Sequence, residues 1–215
     1  MNESVNFSSD GRLIQLECAT EAIKLGSIVL GINTKSCVLL ILEKRKDDTL
    51  NESIIGQKMI KFNKSLCCVI SGLTSDARFL IEQIQIKLSN YFFVSNEHTN
   101  VENCGKIIFN SVSLFNNGNG QKYFKSRPLG VAFLLCGIDQ DGSSLIQIDP
   151  SGTIKKKNYA SLGSGQEESL FMLKESYRKN MSSKETLILG EKILRILIEK
   201  NFNLDNHEYC LLVCY

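Results

Sequence analysis

The chain contains eight cysteines, the side chains best suited to binding a metal or forming disulfides. Structural zinc sites place cysteines in closely spaced pairs within polar, turn-rich loops. Cys210 and Cys214 would share one strand face, but no second pair of ligands accompanies them. Six of the cysteines lie instead in apolar runs with strand character: Cys37, Cys67, Cys68, Cys136, Cys210 and Cys214. This placement favours core packing over a metal site, and no metal or cofactor is expected.

Other reactive patterns are sparse. His98 and His207 have no carboxylate or cysteine at ligand spacing, and the sequence contains neither a G-x-S-x-G nor a P-loop motif. Gly163-Ser164-Gly165 precedes a predicted helix and is too short for a dinucleotide fingerprint, although exposed amides there could bind an anion. The motifs alone therefore indicate no catalytic centre.

Charge and hydropathy exclude two classes of partner. A net charge of +2 and a pI near 8.1 give no electrostatic basis for binding nucleic acid, and the basic run Lys155-Lys156-Lys157 is typical of a solvated strand end. No apolar stretch approaches the ~20 residues of a membrane span, and no signal peptide is recognisable. We expect no nucleic acid, no membrane, and an intracellular protein.

A capped helix is predicted over residues 11–25. Asp10 is suited to the N-cap, and Gly26 is suited to the position after the last turn. The apolar side chains form two stripes, which are Leu13, Leu16, Thr20 and Ile23, and Ile14, Cys18, Ala22 and Leu25. So wide an apolar arc predicts burial on two sides. The helix either caps its own domain or lies between subunits.

The remaining elements follow from periodicity and turn residues. Strands are predicted at 27–33, 36–43, 58–62, 66–71, 130–138, 144–148, 153–158 and 208–214. Helices are predicted from Thr74–Asp76, from a capping box at Thr99–Glu102, over 165–180, and from a capping box at Ser182–Glu185 to Lys200. A polar loop covers 116–126.

Helices that arrive in pairs between groups of hairpins exclude a regular βαβ alternation. They favour two stacked antiparallel sheets, each covered by a pair of helices. The predicted fold is α+β, a four-layer αββα sandwich in a single domain over 1–215. Residues 1–10 form an N-terminal tail, 11–25 the extra helix and 27–215 the sandwich.

The opening F-S-S-D-G-R-L-I-Q-L-E-C-A-T-E-A-I-K-L-G-S resembles the signature of alpha-type subunits of the 20S proteasome. The resemblance extends along nearly the whole chain, through the pieces Glu43-Lys44-Arg45, Ser71-Gly72-Leu73-Thr74-Ser75-Asp76-Ala77-Arg78, Ser126-Arg127-Pro128-Leu129-Gly130-Val131-Ala132 and Asp149-Pro150-Ser151-Gly152-Thr153. Residues 21–27 and the Glu43 piece look most like the alpha type-5 subgroup. The resemblance implies the same αββα fold, that of the N-terminal nucleophile hydrolases.

In catalytic members of that fold the nucleophile is residue one, and its own α-amino group is the base. The resemblance places Ser27 at the nucleophile position, with Glu43 and Lys58 at the acidic and basic positions that follow. An internal Ser27 carries an amide that cannot accept its proton. The chain is therefore expected to be inactive, with no catalytic residues. The alternative is an N-terminal nucleophile hydrolase activated by cleavage between Gly26 and Ser27.

The resemblance also implies partners and surfaces. A non-catalytic subunit of the outer ring would contact other alpha and beta subunits, restrict the pore and dock activators or the regulatory particle, supporting ubiquitin-dependent protein degradation in cytoplasm and nucleus. The family's activator-tail groove corresponds to Lys58, Gly26 and Leu73. A lysine suits the carboxylate that ends a tail, although Lys58 could also be a solvated strand residue. Ring contacts are expected at Leu13, Leu16 and Thr20.

Two positions depart from the family's gate cluster. Ser9 stands where the family has a proline, and Cys18 stands where it has a tyrosine. These changes affect the expected gate role and leave the ring and groove unaffected. A different class of protein also fits the elements, a free-standing αββα binding module with polar faces around its first helix.

Overall fold

The computed structural model describes residues 8–43, 58–116, 128–199 and 207–213. Its helices are α1 (Ile14–Lys24), α2 (Thr74–Ser95), α3 (Val101–Asn116), α4 (Gln166–Ser176) and α5 (Ser183–Glu199). Its strands are β1 (Val29–Asn33), β2 (Cys37–Glu43), β3 (Met59–Lys61), β4 (Leu66–Gly72), β5 (Val131–Asp139), β6 (Gly142–Ile148), β7 (Ile154–Lys156), β8 (Tyr159–Leu162) and β9 (His207–Val213). Most of the predicted 116–126 loop lies outside the described residues.

The strands form two antiparallel sheets. One has the order β8-β1-β2-β9 and the other β3-β4-β5-β6-β7. Strand β8 was missed from the sequence, because Tyr-Ala-Ser-Leu is short and contains no β-branched residue. It pairs with β1 in the register Val29 with Leu162 and Ile32 with Tyr159, and it forms one edge of its sheet.

Three apolar layers hold the four layers of elements together, which confirms the predicted αββα sandwich. The first layer packs α2 and α3 on the five-stranded sheet, around Phe133 and Leu80. The second lies between the sheets, around Leu40 and Leu134. The third packs α4 and α5 on the four-stranded sheet, around Ile41.

The sequence of strand β2 is continuously apolar, and the packing of its two faces explains why. Val38 and Leu40 point into the layer between the sheets, whereas Leu39 and Ile41 point toward α4 and α5. Successive side chains on a strand alternate between faces. Because both faces of this sheet are covered, the strand has no position for a solvated side chain.

Helix α1 begins later than the sequence predicts. Residues 8–12 form a turn, in which the Ser8 N–H donates to the Arg12 carbonyl (2.8 Å) and the Gly11 N–H donates to the Ser8 carbonyl (2.9 Å). The N-cap is Leu13, which makes no side-chain cap bond, so the Asp10 cap was wrong. Arg12 instead reaches Glu17 in the first turn (2.6 Å), and this hydrogen bond lowers the pKa of the Glu17 carboxyl.

The two predicted capping boxes have different outcomes. At α5 the box is present, since the Ser182 N–H donates to Glu185 Oε2 (2.7 Å) and the Glu185 N–H donates to Ser182 Oγ (3.3 Å). At α3 the cap is Asn100, whose Oδ1 accepts from the Asn103 N–H (2.8 Å). The predicted cap Thr99 is buried instead. No helix in the described ranges is long and apolar enough to cross a membrane.

Candidate functional site

The candidate site lies at the junction of α1 and β1, around the peptide bond between Gly26 and Ser27. Ser27 is only 3% exposed. The Gly26 carbonyl accepts a hydrogen bond from the Ser164 N–H (3.0 Å), and the Ser27 carbonyl accepts one from Ser71 Oγ (3.4 Å). Gly163 packs so closely that a Cβ there would collide with the Ser27 carbonyl. This junction is therefore held from two sides.

Lys58 is joined to this junction by its side chain. The residue is half-buried just before β3, and its Nζ donates a hydrogen bond to Ser27 Oγ over 2.8 Å. Its backbone carbonyl accepts from the Ile70 N–H of β4 (3.0 Å). Lys58 is therefore more than the solvated strand residue that the sequence left open. Ser27 and Lys58 are two of the polar positions that the resemblance assigns to catalytic members, and the N–H of the third, Glu43, donates to the carbonyl of Ile28, the residue after Ser27 (3.0 Å).

Gly26 is required for a reason that the sequence did not suggest. Its φ angle is not positive, and the helix ends through Leu25 in the right-handed region. A Cβ at Gly26 would lie 2.5 Å from Ser71 Oγ and 2.8 Å from the Gly72 nitrogen. The position demands glycine because two segments of backbone approach each other there. The sequence predicted instead that Gly26 would end the helix in a left-handed conformation, and that reason is wrong.

Leu73 completes the predicted groove trio. Its N–H donates to the Gly130 carbonyl (2.9 Å), and its side chain is 42% exposed. It follows Gly72, the neighbour of Gly26, and lies three residues after Ile70, the backbone partner of Lys58. The three predicted residues thus lie at the same end of the sandwich, with one cation and one exposed apolar side chain.

Helix α1 closes this end of the sandwich. Ile23 is 4% exposed and belongs to the apolar layer between the two sheets. Its Cγ1 would lie 3.3 Å from a Cβ at Gly72, and the Ala22 Cβ would lie 3.4 Å from one at Gly130. The glycines on β4 and before β5 therefore let the helix approach the strands directly. Removing α1 would expose the inner core.

The expected ring-contact residues lie along the less buried part of α1. Leu13 and Leu16 are half-buried, and Thr20 is exposed with its hydroxyl donating to the Leu16 carbonyl (3.0 Å). On the other stripe Ile14 is 58% and Leu25 76% exposed, and Cys18 is exposed. Only Ala19 and Ile23 are buried in the helix. An apolar surface therefore remains on α1 outside its own domain.

Five cysteines in the described ranges are buried and form no disulfide, whereas Cys18 is exposed; the five are Cys37, Cys67, Cys68, Cys104 and Cys136. Burial raises the pKa of the Cys104 thiol to about 12 and raises that of the Cys68 thiol well above its usual value. These thiols therefore stay protonated and unreactive near neutral pH. Within the described ranges no group of three or more His, Cys, Asp or Glu side chains could hold a metal.

A cavity away from the α1–β1 junction was not foreseen from the sequence. It has a volume of about 490 Å³ and lies between the end of β3 and the last turns of α2, with Phe62, Leu88 and Phe92 in its wall. His98 stacks on Phe92 with ring centroids 4.8 Å apart. The apolar run Tyr91–Val94 at a helix end is the signal that could have pointed to it. Phe93 is 82% and Val94 90% exposed.

Comparison with known proteins defines the class of this fold and site. The family model described as "Proteasome subunit" matches residues 23–212. The chain therefore belongs to the proteasome subunit family.

Three relatives within that family are of one type. The chain is 38% identical to "Probable proteasome subunit alpha type-5" of Schizosaccharomyces pombe, over 93% of this chain and 81% of the relative. It is 35% identical to "Proteasome subunit alpha type-5" of Trypanosoma brucei brucei, over 95% and 83%. The Caenorhabditis elegans protein of that name is 37% identical, over 94% and 81%. The chain is thus an alpha-type subunit, a structural component of the outer ring of the 20S core.

Proposed function

We propose that this chain serves the proteasome without catalysing proteolysis, as a ring subunit that docks activators and helps to restrict the pore. Its contacts are with neighbouring alpha subunits, with the beta ring, and with activators or the regulatory particle. It works in ubiquitin-dependent degradation, in cytoplasm and nucleus. The observation that carries the proposal is the buried Gly26–Ser27 junction, with Lys58 and Leu73 beside it.

The absence of catalysis follows from the chemistry of Ser27. Its nitrogen belongs to the peptide bond with Gly26, and an amide nitrogen cannot accept the hydroxyl proton. The side chain is also 3% exposed, and α1 packs over the end of the sandwich. A substrate carbonyl has no approach to the hydroxyl, and the hydroxyl has no α-amino base.

Activator docking is supported by the composition of the groove. A chain terminus brings one carboxylate, which a lysine ammonium can bind without fixed geometry. Leu73 offers an exposed apolar side chain at the same end of the sandwich, where Gly26 lets α1 approach Ser71 and Gly72 closely. A C-terminal tail with apolar residues before its carboxylate matches this combination.

Pore restriction belongs to the N-terminal residues. The turn over 8–12 leads the chain into α1, with Ser9 exposed on it, and Cys18 is exposed one turn into the helix. Neither residue supplies the ring or the phenolic hydroxyl that the family's gate cluster uses. We assign this subunit a smaller share of gate control than its ring neighbours.

One observation favours a second candidate, an N-terminal nucleophile hydrolase released by cleavage between Gly26 and Ser27. The hydrogen bond from Lys58 Nζ to Ser27 Oγ is the contact that such an enzyme needs. Cleavage would separate α1 from β1, however, and α1 carries Ile23 into the core between the sheets. A removable propeptide has no reason to contribute a core residue.

Intact-mass analysis of the subunit in purified particles separates the two candidates. The proposal predicts a chain that retains α1 and gains no mass from an electrophile specific for N-terminal hydroxyl nucleophiles. The catalytic beta subunits of the same particle supply the positive control for labelling. A chain that begins at Ser27 and carries the label would establish the hydrolase instead.

A further inference from the structure

The cavity between the end of β3 and the last turns of α2 takes no part in the groove proposed above. Its apolar wall is formed by Phe62, Leu66, Leu88 and Phe92, and it is called the Phe92 cavity below. Its volume of about 490 Å³ lies within the ~300–1,000 Å³ that small-molecule sites occupy. Such sites combine an apolar wall with a few polar groups that orient the ligand.

The wall of the Phe92 cavity is rich in aromatic rings. Phe92 stacks on His98 with ring centroids 4.8 Å apart and 22° between the ring planes. Phe93 meets Phe92 edge-on, with centroids 6.2 Å apart. Phe92 is nevertheless 38% exposed, so part of its ring is left for a further contact. Aromatic pairs are favoured beyond the area that they bury, and a planar aromatic ring therefore suits this wall.

Two polar groups in the lining are available only as hydrogen-bond donors. Lys61 is exposed and forms no ion pair with any residue that the structure describes. Asn63 Oδ1 already accepts from the N–H (2.8 Å) and the Oγ (3.1 Å) of Ser65, which leaves the amide its N–H groups. The described lining residues include no carboxylate. The polar side of the Phe92 cavity therefore suits an anion.

A neighbouring cavity has the opposite charge. Its volume is about 400 Å³, and His98 lines both cavities. The carboxylates of Glu97, Asp139 and Asp141 line it, without a lysine or arginine among its described residues. Like charges repel across such a short span. An acid in the Phe92 cavity would therefore turn its carboxylate toward Lys61 and away from the neighbouring cavity.

We propose that the Phe92 cavity binds a small planar aromatic carboxylate, with its ring on Phe92 and its carboxylate on Lys61. The ring supplies the contact with the apolar wall, and the charge selects the end of the cavity at which the carboxylate binds. This site does not depend on the docking role of Lys58, because Lys58 precedes β3 and Lys61 ends it.

The experiment uses complete particles and a photoreactive aromatic acid, para-benzoylbenzoate. Its neutral twin, para-benzoylbenzamide, has the same rings without the charge. Crosslinks are mapped on this subunit by mass spectrometry, and their yield is titrated with each probe. Naphthoate, which is not photoreactive, serves as a competitor on unmodified particles, so the site can be tested even where a variant assembles poorly.

Three variants separate the wall from the charge. Ser89→Trp places a large ring at an exposed position that lines the Phe92 cavity. Asn90→Trp is the matched control, because Asn90 is the next residue of α2 and is exposed outside the described lining. Lys61→Met removes the ammonium and keeps an apolar stem.

We expect saturable crosslinks on residues 85–93 that naphthoate suppresses. Ser89→Trp should abolish them and Asn90→Trp should leave them unchanged. Lys61→Met should weaken the acid about two- to fivefold and leave the amide unchanged. Labelling that does not saturate, or that persists in Ser89→Trp, would overturn the site. Equal losses of acid and amide in Lys61→Met would overturn the assignment of the carboxylate. No labelling of intact particles would also overturn the proposal, and another subunit would then fill the cavity.

Discussion

Among single residues, the α1–β1 junction is defined by Lys58, Ser27 and the glycines that pack around them. Lys58 is the one charged member of the predicted groove trio, and it is half-buried with its ammonium on Ser27. Gly26 and Gly163 allow close approach of backbone to that pair. Lys58 thus supplies the charge at this junction, and the two glycines supply room for close backbone packing. The two contributions can be tested with separate substitutions.

Lys58→Ala should weaken the docking of activators while particles still assemble. A tail carboxylate that has left water would lose its partner charge, which costs about 1.5–3 kcal/mol. Activator affinity for purified particles, measured at one fixed low salt concentration, tests this. Lys61→Ala is the matched control, because Lys61 is an exposed lysine at the end of β3, the strand that Lys58 immediately precedes. Equal effects of the two substitutions would contradict a specific groove.

Gly163→Ala should destabilise the chain far more than Gly142→Ala. Both glycines have positive φ, +87° and +100°, so both substitutions carry a backbone cost of about 1–2 kcal/mol. Only at Gly163 does the new Cβ collide with backbone, the Ser27 carbonyl, whereas nothing lies within 4 Å at Gly142. Urea unfolding of the two variants measures the difference, expected to exceed about 2 kcal/mol. Similar stabilities would mean that the junction relaxes freely.

The sequence pointed to several residues of this site, but it did not reveal the contacts that they make. The resemblance assigned Lys58, Gly26 and Leu73 to one groove, and their role in docking stays a prediction. The reason for Gly26 was wrong, since a close approach to Ser71 and Gly72 involves residues distant in sequence. The Lys58–Ser27 hydrogen bond joins residues 31 apart, and no local pattern encodes it.

At the scale of elements, helix α1 has two tasks. Its Ala19 and Ile23 are buried against the sandwich, while Ile14 and Leu25 remain largely exposed. The wide apolar arc predicted that the helix would be buried on two sides. Packing within the chain buries only one of them. An apolar face left over in this way is typical of a subunit contact.

Leu16→Asp should block incorporation into particles. Leu16 is half-buried within the chain, and in a ring contact its replacement would place a charge against apolar surface, at a cost of several kcal/mol. The fraction of tagged chain that sediments with full-size particles measures this. Ile188→Asp, the same kind of change at a 63% exposed position on α5, is the control and should incorporate normally. Normal incorporation of Leu16→Asp would place α1 away from any subunit contact.

The elements themselves were largely predictable, and the failures have physical causes. Long amphipathic helices and β-rich hairpins have strong periodicity, so their existence and order were correct. Strand β8 was missed because its partner β1 supplies the hydrogen bonds that its own four residues do not signal. The cap of α3 moved from Thr99 to Asn100 because Thr99 is buried and Asn100 faces the free N–H of Asn103.

At the scale of the whole molecule, fold and family agree. The four-layer sandwich follows from paired helices between hairpins, and the family match spans residues 23–212. The extra helix α1 begins before that match and distinguishes this chain's architecture from a bare sandwich. Neighbours and activators could not be predicted, because they depend on surfaces of other chains.

The ring role is tested most directly by purifying the tagged chain from its own cells under native conditions, measuring the mass of the particle and identifying the proteins that accompany it. We expect a complete core particle, with other alpha subunits and the beta subunits present and this chain still carrying α1 ahead of Ser27. A free monomer of about 24.1 kDa, without other proteasome subunits, would contradict the ring role and favour a free-standing binding module.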